Sequence, residues 1–348
     1  MMNKYQRQTI LPQVGINGQQ KIAEARVLIV GAGGLGCALL PYLAAAGIGN
    51  LGIVDGDQVE ESNLHRQILY TPKNIGEYKV EAAKAFLKAQ QPELRCSVYA
   101  EYLSGENALD LFKEYDIIID ATDRIEVRYL INDAAILTNK PVVYGSIHRF
   151  EGQVSVFNYK NGPTYRCLFP KAVEVPSCEE AGVLGTSVGL IGMLQAAEVL
   201  KIILETGNVL SGELLIYNTL TATQDRFKFV KNENIQITQE SFNAAHKSNN
   251  SPRVSFSIDL LINGILVDVR TKEEQPRIAN ASVLEIPLQE LNHKVQDFES
   301  SKDYYFFCQS GARALQAIQL LKEHKHINAK ALTEGAAQLQ KLITTASV

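Results

Sequence analysis

A cysteine opens a six-residue loop late in the chain, Cys308-Gln309-Ser310-Gly311-Ala312-Arg313. A glycine loop, Gly31-Ala32-Gly33-Gly34-Leu35-Gly36, follows a β-branched run near the start. The first loop can hold a thiolate or persulfide: backbone N–H groups, a helix N-terminus and the Arg313 charge all favour an anion there. The second, Gly31-x-Gly33-x-x-Gly36 with Asp55 about 20 residues on, fits the nucleotide fingerprint. Its glycines admit phosphate to the backbone, the helix start attracts negative charge, and the acid accepts from a ribose hydroxyl. A chain with both loops is expected to activate a substrate with a nucleotide and to handle sulfur.

Taken alone, the glycine loop reads as an NAD dehydrogenase. Its companions change that reading. Ser62-Asn63-Leu64-His65-Arg66-Gln67 puts a cation and two amides shortly after the ribose acid, and Lys79 adds a second cation. Ala121-Thr122-Asp123 sets a carboxylate at a strand end, where doubly wound sheets bind ligands. Arginine and lysine for triphosphate oxygens, with a carboxylate for Mg²⁺, are what nucleotidyl transfer from ATP requires. Hydride transfer needs no such set, and no proton-transfer pair stands beside the glycine loop.

The elements that must position these groups alternate as in a doubly wound α/β sheet. Residues 26–30, 51–55, 115–120 and 141–144 read as buried strands, and 35–46, 79–90 and 125–138 as helices between them. After Glu151 the pattern changes to antiparallel strands with one wet face, at 152–157, 214–217 and 226–230. Residues 166–182 read as a long surface loop. Residues 231–253, rich in Asn, Gln, Ser and Lys, read as a linker between domains at 1–230 and 254–348. In the second domain, 265–269 and 304–308 read as strands and 312–324 as a helix.

The 348 residues, 46% hydrophobic and 21% charged, suit about two soluble globular domains. A net charge of -4 gives no footprint for nucleic acid, which is excluded as a partner. Five cysteines at irregular spacings (Cys37, Cys96, Cys167, Cys178, Cys308) argue for a reducing compartment rather than a disulfide framework. The first residues lack a signal-peptide core, and the apolar stretch 183–204 is broken by Gly185, Gly189, Gly192, Gln195, Glu198 and Lys201. It reads as a buried helix and not a membrane span. A cytoplasmic protein is expected.

Residues 1–230 resemble the MoeB/ThiF/HesA family, relatives of the adenylating half of ubiquitin-activating enzymes. The resemblance rests on Tyr5-Gln-Arg-Gln8, Arg26 to Cys37, Ala46 to Leu51, Asp55-Gly-Asp57, Ser62 to Gln67, Gly76 to Lys79, Asp120 to Asp123, Glu151-Gly-Gln153, Tyr165-Arg-Cys167 and Cys178 to Val183, in the family's order. It implies ATP-dependent adenylation of the C-terminal glycine of a small ubiquitin-like sulfur carrier of MoaD or ThiS type. By resemblance, Gly31, Gly33, Gly34 and Gly36 cradle phosphates and Asp55 takes the ribose. Ser62, Asn63, Arg66 and Lys79 serve the triphosphate, Asp57 belongs to the same set, and Asp123 holds Mg²⁺. Arg7 resembles an arginine that enters a neighbouring subunit's site, which implies a homodimer. Two departures stand out. Arg124 replaces the usual asparagine after Asp123. The first of two zinc-binding C-x-x-C pairs reads Thr164-Tyr-Arg-Cys167, with no second pair after Val230, so no zinc is expected. Cys178 resembles the cysteine that forms a thioester or acyl-persulfide with the carrier. Glu179 and Glu180 beside it disfavour a thiolate, so a bystander thiol stays open.

Residues 254–348 resemble a single rhodanese domain, through Leu266-Val-Asp268-Val-Arg270, Glu273-Glu274, Cys308-x-x-Gly311-x-Arg313 and Gly335. Four residues separate Cys308 from Arg313, where phosphatases that resemble this fold have five, which favours sulfur over phosphate. The usual Gly-His-Ile-Pro-Gly-Ala stretch departs, at Arg277-Ile-Ala-Asn-Ala-Ser282. The whole then implies an adenylyltransferase joined to a sulfurtransferase fed by a persulfide donor such as a cysteine desulfurase, in molybdopterin or thiamine supply. A docking module without chemistry is the alternative for the second half.

Overall fold

In the computed structural model of this chain the described residues are 4–171, 182–247, 253–280, 282–309, 311–321 and 327–346. Cys178 and its neighbours lie outside them. The chain divides into two compact units, Met1–Lys247 and Ser248–Val348.

The first unit is built on one eight-stranded sheet, ordered β3-β2-β1-β4-β5-β6-β7-β8. β1 (Arg26–Val30), β2 (Asn50–Val54), β3 (Arg95–Tyr99), β4 (Ile117–Asp120) and β5 (Val142–His148) run parallel. β6 (Glu151–Phe157), β7 (Glu213–Asn218) and β8 (Thr223–Lys228) continue it antiparallel. The expected α/β sheet with an antiparallel extension is therefore what forms. Val27, Leu28 and Ile29 of β1 are fully buried, as a strand covered by helices on both faces must be. Each contributes roughly 1.5–3 kcal/mol of burial. β3 has the half-buried pattern of an edge and only Val98 and Tyr99 as strong strand formers, so no run in its sequence announces it.

The main helices are α1 (Gly15–Glu24), α2 (Gly34–Ala46), α3 (Lys79–Gln90), α4 (Ala108–Lys113), α5 (Ile125–Thr138) and α6 (Gly185–Leu204). α6 has the length and hydropathy of a membrane span. It packs against α2, β5 and β6, burying Val188, Ile191, Ala196, Val199 and Ile202. Gln195 of this helix donates to the Asp120 carbonyl at 2.8 Å, pinning it over the end of β4. Within α2, burial pushes the Cys37 thiol up to about 12, and its sulfur donates to the Ala32 carbonyl at 3.4 Å.

The stretch 231–253 is not all linker. Thr238 caps a helical turn, Gln239–Phe242, and Phe242 is fully buried in the core beside α5. His246 follows with its Nε2 2.9 Å from Asp133 of α5, whose carboxylate also takes both donors of Arg166 at 2.7 Å. One aromatic residue anchors a segment that its polar composition would leave in solvent. The stretch read as a loop from 166 opens instead in a helical turn, Tyr165–Leu168.

The second unit is a five-stranded sheet, ordered β11-β10-β12-β13-β9 and parallel throughout. Its strands are β9 (Arg253–Val254), β10 (Ile265–Asp268), β11 (Val283–Glu285), β12 (Asp303–Phe307) and β13 (Asn328–Leu332). Its helices are α7 (Ile258–Asn263), α8 (Ala312–Leu321) and α9 (Ala336–Ala346). Phe306 and Phe307 of β12 are fully buried on opposite faces and carry the chain straight into the Cys308 loop. The small α/β domain expected from the sequence is present.

Candidate active sites

The chain leaves β1 toward β2 on one side and returns to β4 on the other, so the sheet's topological switch falls beside β1. There, beyond the carboxyl ends of the strands, lies a crevice of about 500 Å³. Gly31, Gly33 and Gly34 line it, as do Asp55, Asp57, Asn63, Arg66, Lys79 and Asp123. Gly31 has φ +104° and a Cβ there would sit 2.7 Å from the Ala121 carbonyl oxygen, so no other residue fits the turn. Gly36 and Ser62 are not among the lining residues.

Asp55 ends the turn after β2, and its two oxygens accept from the Ala32 N–H at 2.7 Å and the Asp57 N–H at 2.8 Å. Desolvation raises its pKa even though Lys79 opposes the shift. Lys79, the first residue of α3, donates to Asp57 at 2.8 Å with its side chain only 7% exposed. Burial alone would lower the lysine, but Asp55 and Asp57 together push it up, so it stays charged at any physiological pH. Burial works against the Asp57 carboxylate, yet Lys79 and the Tyr102 hydroxyl, 2.5 Å away, hold it below the usual range. The nucleotide end of the crevice is thus wired before any ligand arrives.

Asn63 is buried, with its amide 3.3 Å from the Ser62 hydroxyl, and Arg66 donates to the Ser62 carbonyl at 3.0 Å. Gln67 is buried with its Oε1 unpartnered beside the glycine loop. Asp123 is exposed at the rim. Arg124 donates to Glu126 at 3.1 Å and lies over the Tyr102 ring, a contact particular to the departure at this position. Arg7, in the helical turn Gln6–Thr9, is exposed and does not line this crevice.

Tyr102, Tyr144 and Arg128 are among the lining residues that the sequence did not single out. Arg128 donates to the Thr122 carbonyl at 3.0 Å, sits over the Tyr144 ring, and has its Nε 3.9 Å from Asp120. Burial pushes Asp120 up to about 6 against the pull of Arg128. The signal for Arg128 was one helical turn from the start of α5, on the face that follows Asp123.

Among the described residues, no group of three or more His, Cys, Asp or Glu is placed to hold a metal. At the departed C-x-x-C position the Cys167 sulfur accepts from the Thr164 N–H at 3.3 Å and the Asn232 N–H at 3.4 Å. Hydrogen bonds join the two segments there.

In the second unit, Cys308 is buried and its Sγ accepts from the Gly311 N–H at 3.0 Å. Gly335 lets the facing loop close in, since a Cβ there would lie 2.2 Å from the Gln309 carbonyl oxygen. Ala336 donates to the Cys308 carbonyl at 2.9 Å. Arg313 meets an acid from another part of this unit. Its guanidinium grips both oxygens of Glu274, at 2.5 and 2.7 Å, and Arg313 is the main reason the Glu274 pKa falls to about 2. The pair fixes the loop's flank.

A crevice at a switch point, lined for nucleotide, and a cysteine loop at a strand end define a two-part enzyme of activation and sulfur chemistry. The chain belongs to the ThiF family, whose model matches residues 5–239, and residues 257–342 match the rhodanese-like domain. It is 49% identical over 230 residues to the sulfur carrier protein adenylyltransferase of Thermus thermophilus, covering 64% of this chain and 85% of that protein. It is 36% identical to the adenylyltransferase and sulfurtransferase MOCS3 of Drosophila sechellia, over 92% of this chain and 78% of that one. Among solved structures, Escherichia coli MccB with MccA-N7isoASN shares the fold, with a TM-score of 0.60 at 21% identity over 68% of this chain and 74% of that one.

Proposed function

We propose that the chain adenylates the C-terminal carboxylate of a small sulfur-carrier protein with ATP and then delivers sulfur to it from Cys308. The observation that carries this reading is the crevice itself. It sets a phosphate-admitting glycine loop, a ribose acceptor, a buried lysine and a rim carboxylate around one volume, in a chain that also bears the Cys308 loop.

The carrier's carboxylate oxygen attacks the α-phosphorus of ATP, the bond to the bridging oxygen breaks, and pyrophosphate leaves. Asp55 receives the ribose hydroxyls. Lys79 keeps one hydrogen bond to Asp57 and has two N–H groups left for phosphate oxygens, which Arg66 and Asn63 also meet. Mg²⁺ held by the phosphates, water and Asp123 would neutralise charge, in keeping with its preference for few protein ligands. The assembly is a homodimer with Arg7 supplied by the partner subunit, in a cytoplasmic setting. Stabilising charge as it shifts on the transferring phosphate is the main catalytic work.

Cys308 thiolate attacks the sulfane sulfur of a persulfide donor, whose thiolate leaves. The new terminal sulfur attacks the acyl carbonyl and AMP departs, giving an acyl disulfide. A second thiol then releases the thiocarboxylate. A cellular dithiol supplies it, and its other thiol then frees Cys308 from the mixed disulfide. The test pairs carrier-dependent ATP–pyrophosphate exchange with mass spectrometry of the Cys308 peptide after treatment with a cysteine desulfurase. Exchange together with one added sulfur on Cys308 supports the reading. Sulfur on Cys178 alone makes the second unit a docking module, and no exchange removes the adenylation half.

A further inference from the structure

Asp268 ends β10 in register with Phe307, the residue before Cys308, and its carboxylate is almost fully buried. Two guanidinium groups share it. Arg270 donates through Nε at 2.9 Å and Nη2 at 2.7 Å, and Arg277 donates through Nη1 at 2.8 Å. Two guanidinium charges face one carboxylate, which leaves one positive charge over. Arg270 is fully buried and reaches Gln309, the residue after Cys308, at 3.5 Å. The surplus charge therefore lies beneath the loop that holds the sulfur.

The other charges nearby do not remove it. Arg313 and Glu274 answer each other. Glu334 keeps its charge but is held by the Phe256 N–H at 2.9 Å, after β9, three strands from β10. Glu285 is 3.9 Å from Arg277, a longer and half-exposed pairing, weaker than the 2.8 Å bond to buried Asp268. Lys272 and Glu273 are exposed, and Lys330 pairs in register with Tyr305, further from the loop. Arg277 also heads the stretch, Arg277 to Ser282, where this chain departs from the rhodanese pattern.

We infer that Arg277 is a positioning residue for the Cys308 sulfur. Through Asp268 and Arg270 it keeps a net positive potential under the loop, favouring the thiolate before sulfur arrives and the persulfide anion after it. This rests on the sulfurtransferase reading of the second unit. It gives the Asp268 cluster an electrostatic role beside that of the loop's own N–H groups.

The test uses the full chain and the ultraviolet absorbance of the Cys308 thiolate, with Cys308→Ala subtracted as the blank. Arg277→Met should raise the pH midpoint of that signal by about one unit, a roughly tenfold loss of thiolate near neutrality. Sulfur loading from a cysteine desulfurase should slow by a similar factor, while ATP–pyrophosphate exchange stays unchanged. Asp268 keeps Arg270 in this variant, so no buried carboxylate is orphaned. Arg277→Lys, which retains the charge, should stay within about threefold of the parent chain. A wild-type midpoint in Arg277→Met, or equal damage in Arg277→Lys, overturns the inference. A parent chain that shows the Arg277-dependent midpoint but takes up no sulfur upholds it and refutes the sulfurtransferase reading instead.

Discussion

The two units build reactive sites by opposite means. The first assembles a volume: its lining comes from the ends of several strands, from helix starts including those of α2, α3 and α5, and from residues as far apart in the chain as Gly31 and Val188. The second presents a single atom, Cys308 Sγ, on one short loop, with Gly311 giving the N–H and Glu274 steadying the flank. A volume tolerates the loss of one wall residue in proportion to what that residue does. A single nucleophile has no substitute.

That contrast ranks the expected losses. Cys308→Ala should abolish sulfur addition from a persulfide donor, read by mass spectrometry, and leave carrier-dependent exchange intact. Asp123→Ala should cut exchange by the order of 10²–10³, the usual cost of one electrostatic stabiliser, and leave sulfur loading untouched. If either change damages both activities, the units are not chemically separate. Mixing Arg7→Ala with Asp123→Ala subunits should recover exchange, because one site of each mixed dimer receives both intact groups. A monomer by light scattering, or no recovery after verified subunit exchange, would break the trans arrangement.

Smaller effects separate the units by pH. Asp120 is raised from 3.8 to about 6, so its contribution to stability is complete below about pH 4 and lost as pH rises through 6. Glu274 is depressed from 4.5 to about 2, so its contribution is present above about pH 4.5 and lost as pH falls toward 2. By calorimetry, Asp120→Asn should flatten the first slope by a few degrees, in the first unit's transition alone. Glu274→Gln should flatten the second slope and cost about 1 kcal/mol or less, since the pair with Arg313 is partly solvated. Slopes that respond in the wrong unit would count against these assignments.

What the sequence made legible follows the same division. The glycine fingerprint, Asp55 and Asp123 could be read because strand–turn–helix geometry places them at fixed offsets along the chain. Cys308, Gly311 and Arg313 were readable for the same reason. Pairings across the fold were not. Nothing in Glu273-Glu274 says which acid meets Arg313, and the burial of Lys79 against Asp57 depends on a turn that only the folded chain makes. Arg128 was missed because its role depends on Tyr144 and Thr122, brought from two other places. Phe242 was missed because a single aromatic carries little weight in a polar stretch.

The state of the sulfurs has one more consequence, for how the protein ages. Oxidation by peroxide begins with a thiolate, so a thiol that cannot ionise is spared. Burial pushes Cys37 up to about 12 and Cys96 up to about 11, and the described cysteines form no disulfide. Oxidative damage is thereby directed away from those two framework sulfurs and toward a working one. A stored sample should lose sulfur transfer while its melting curve stays unchanged.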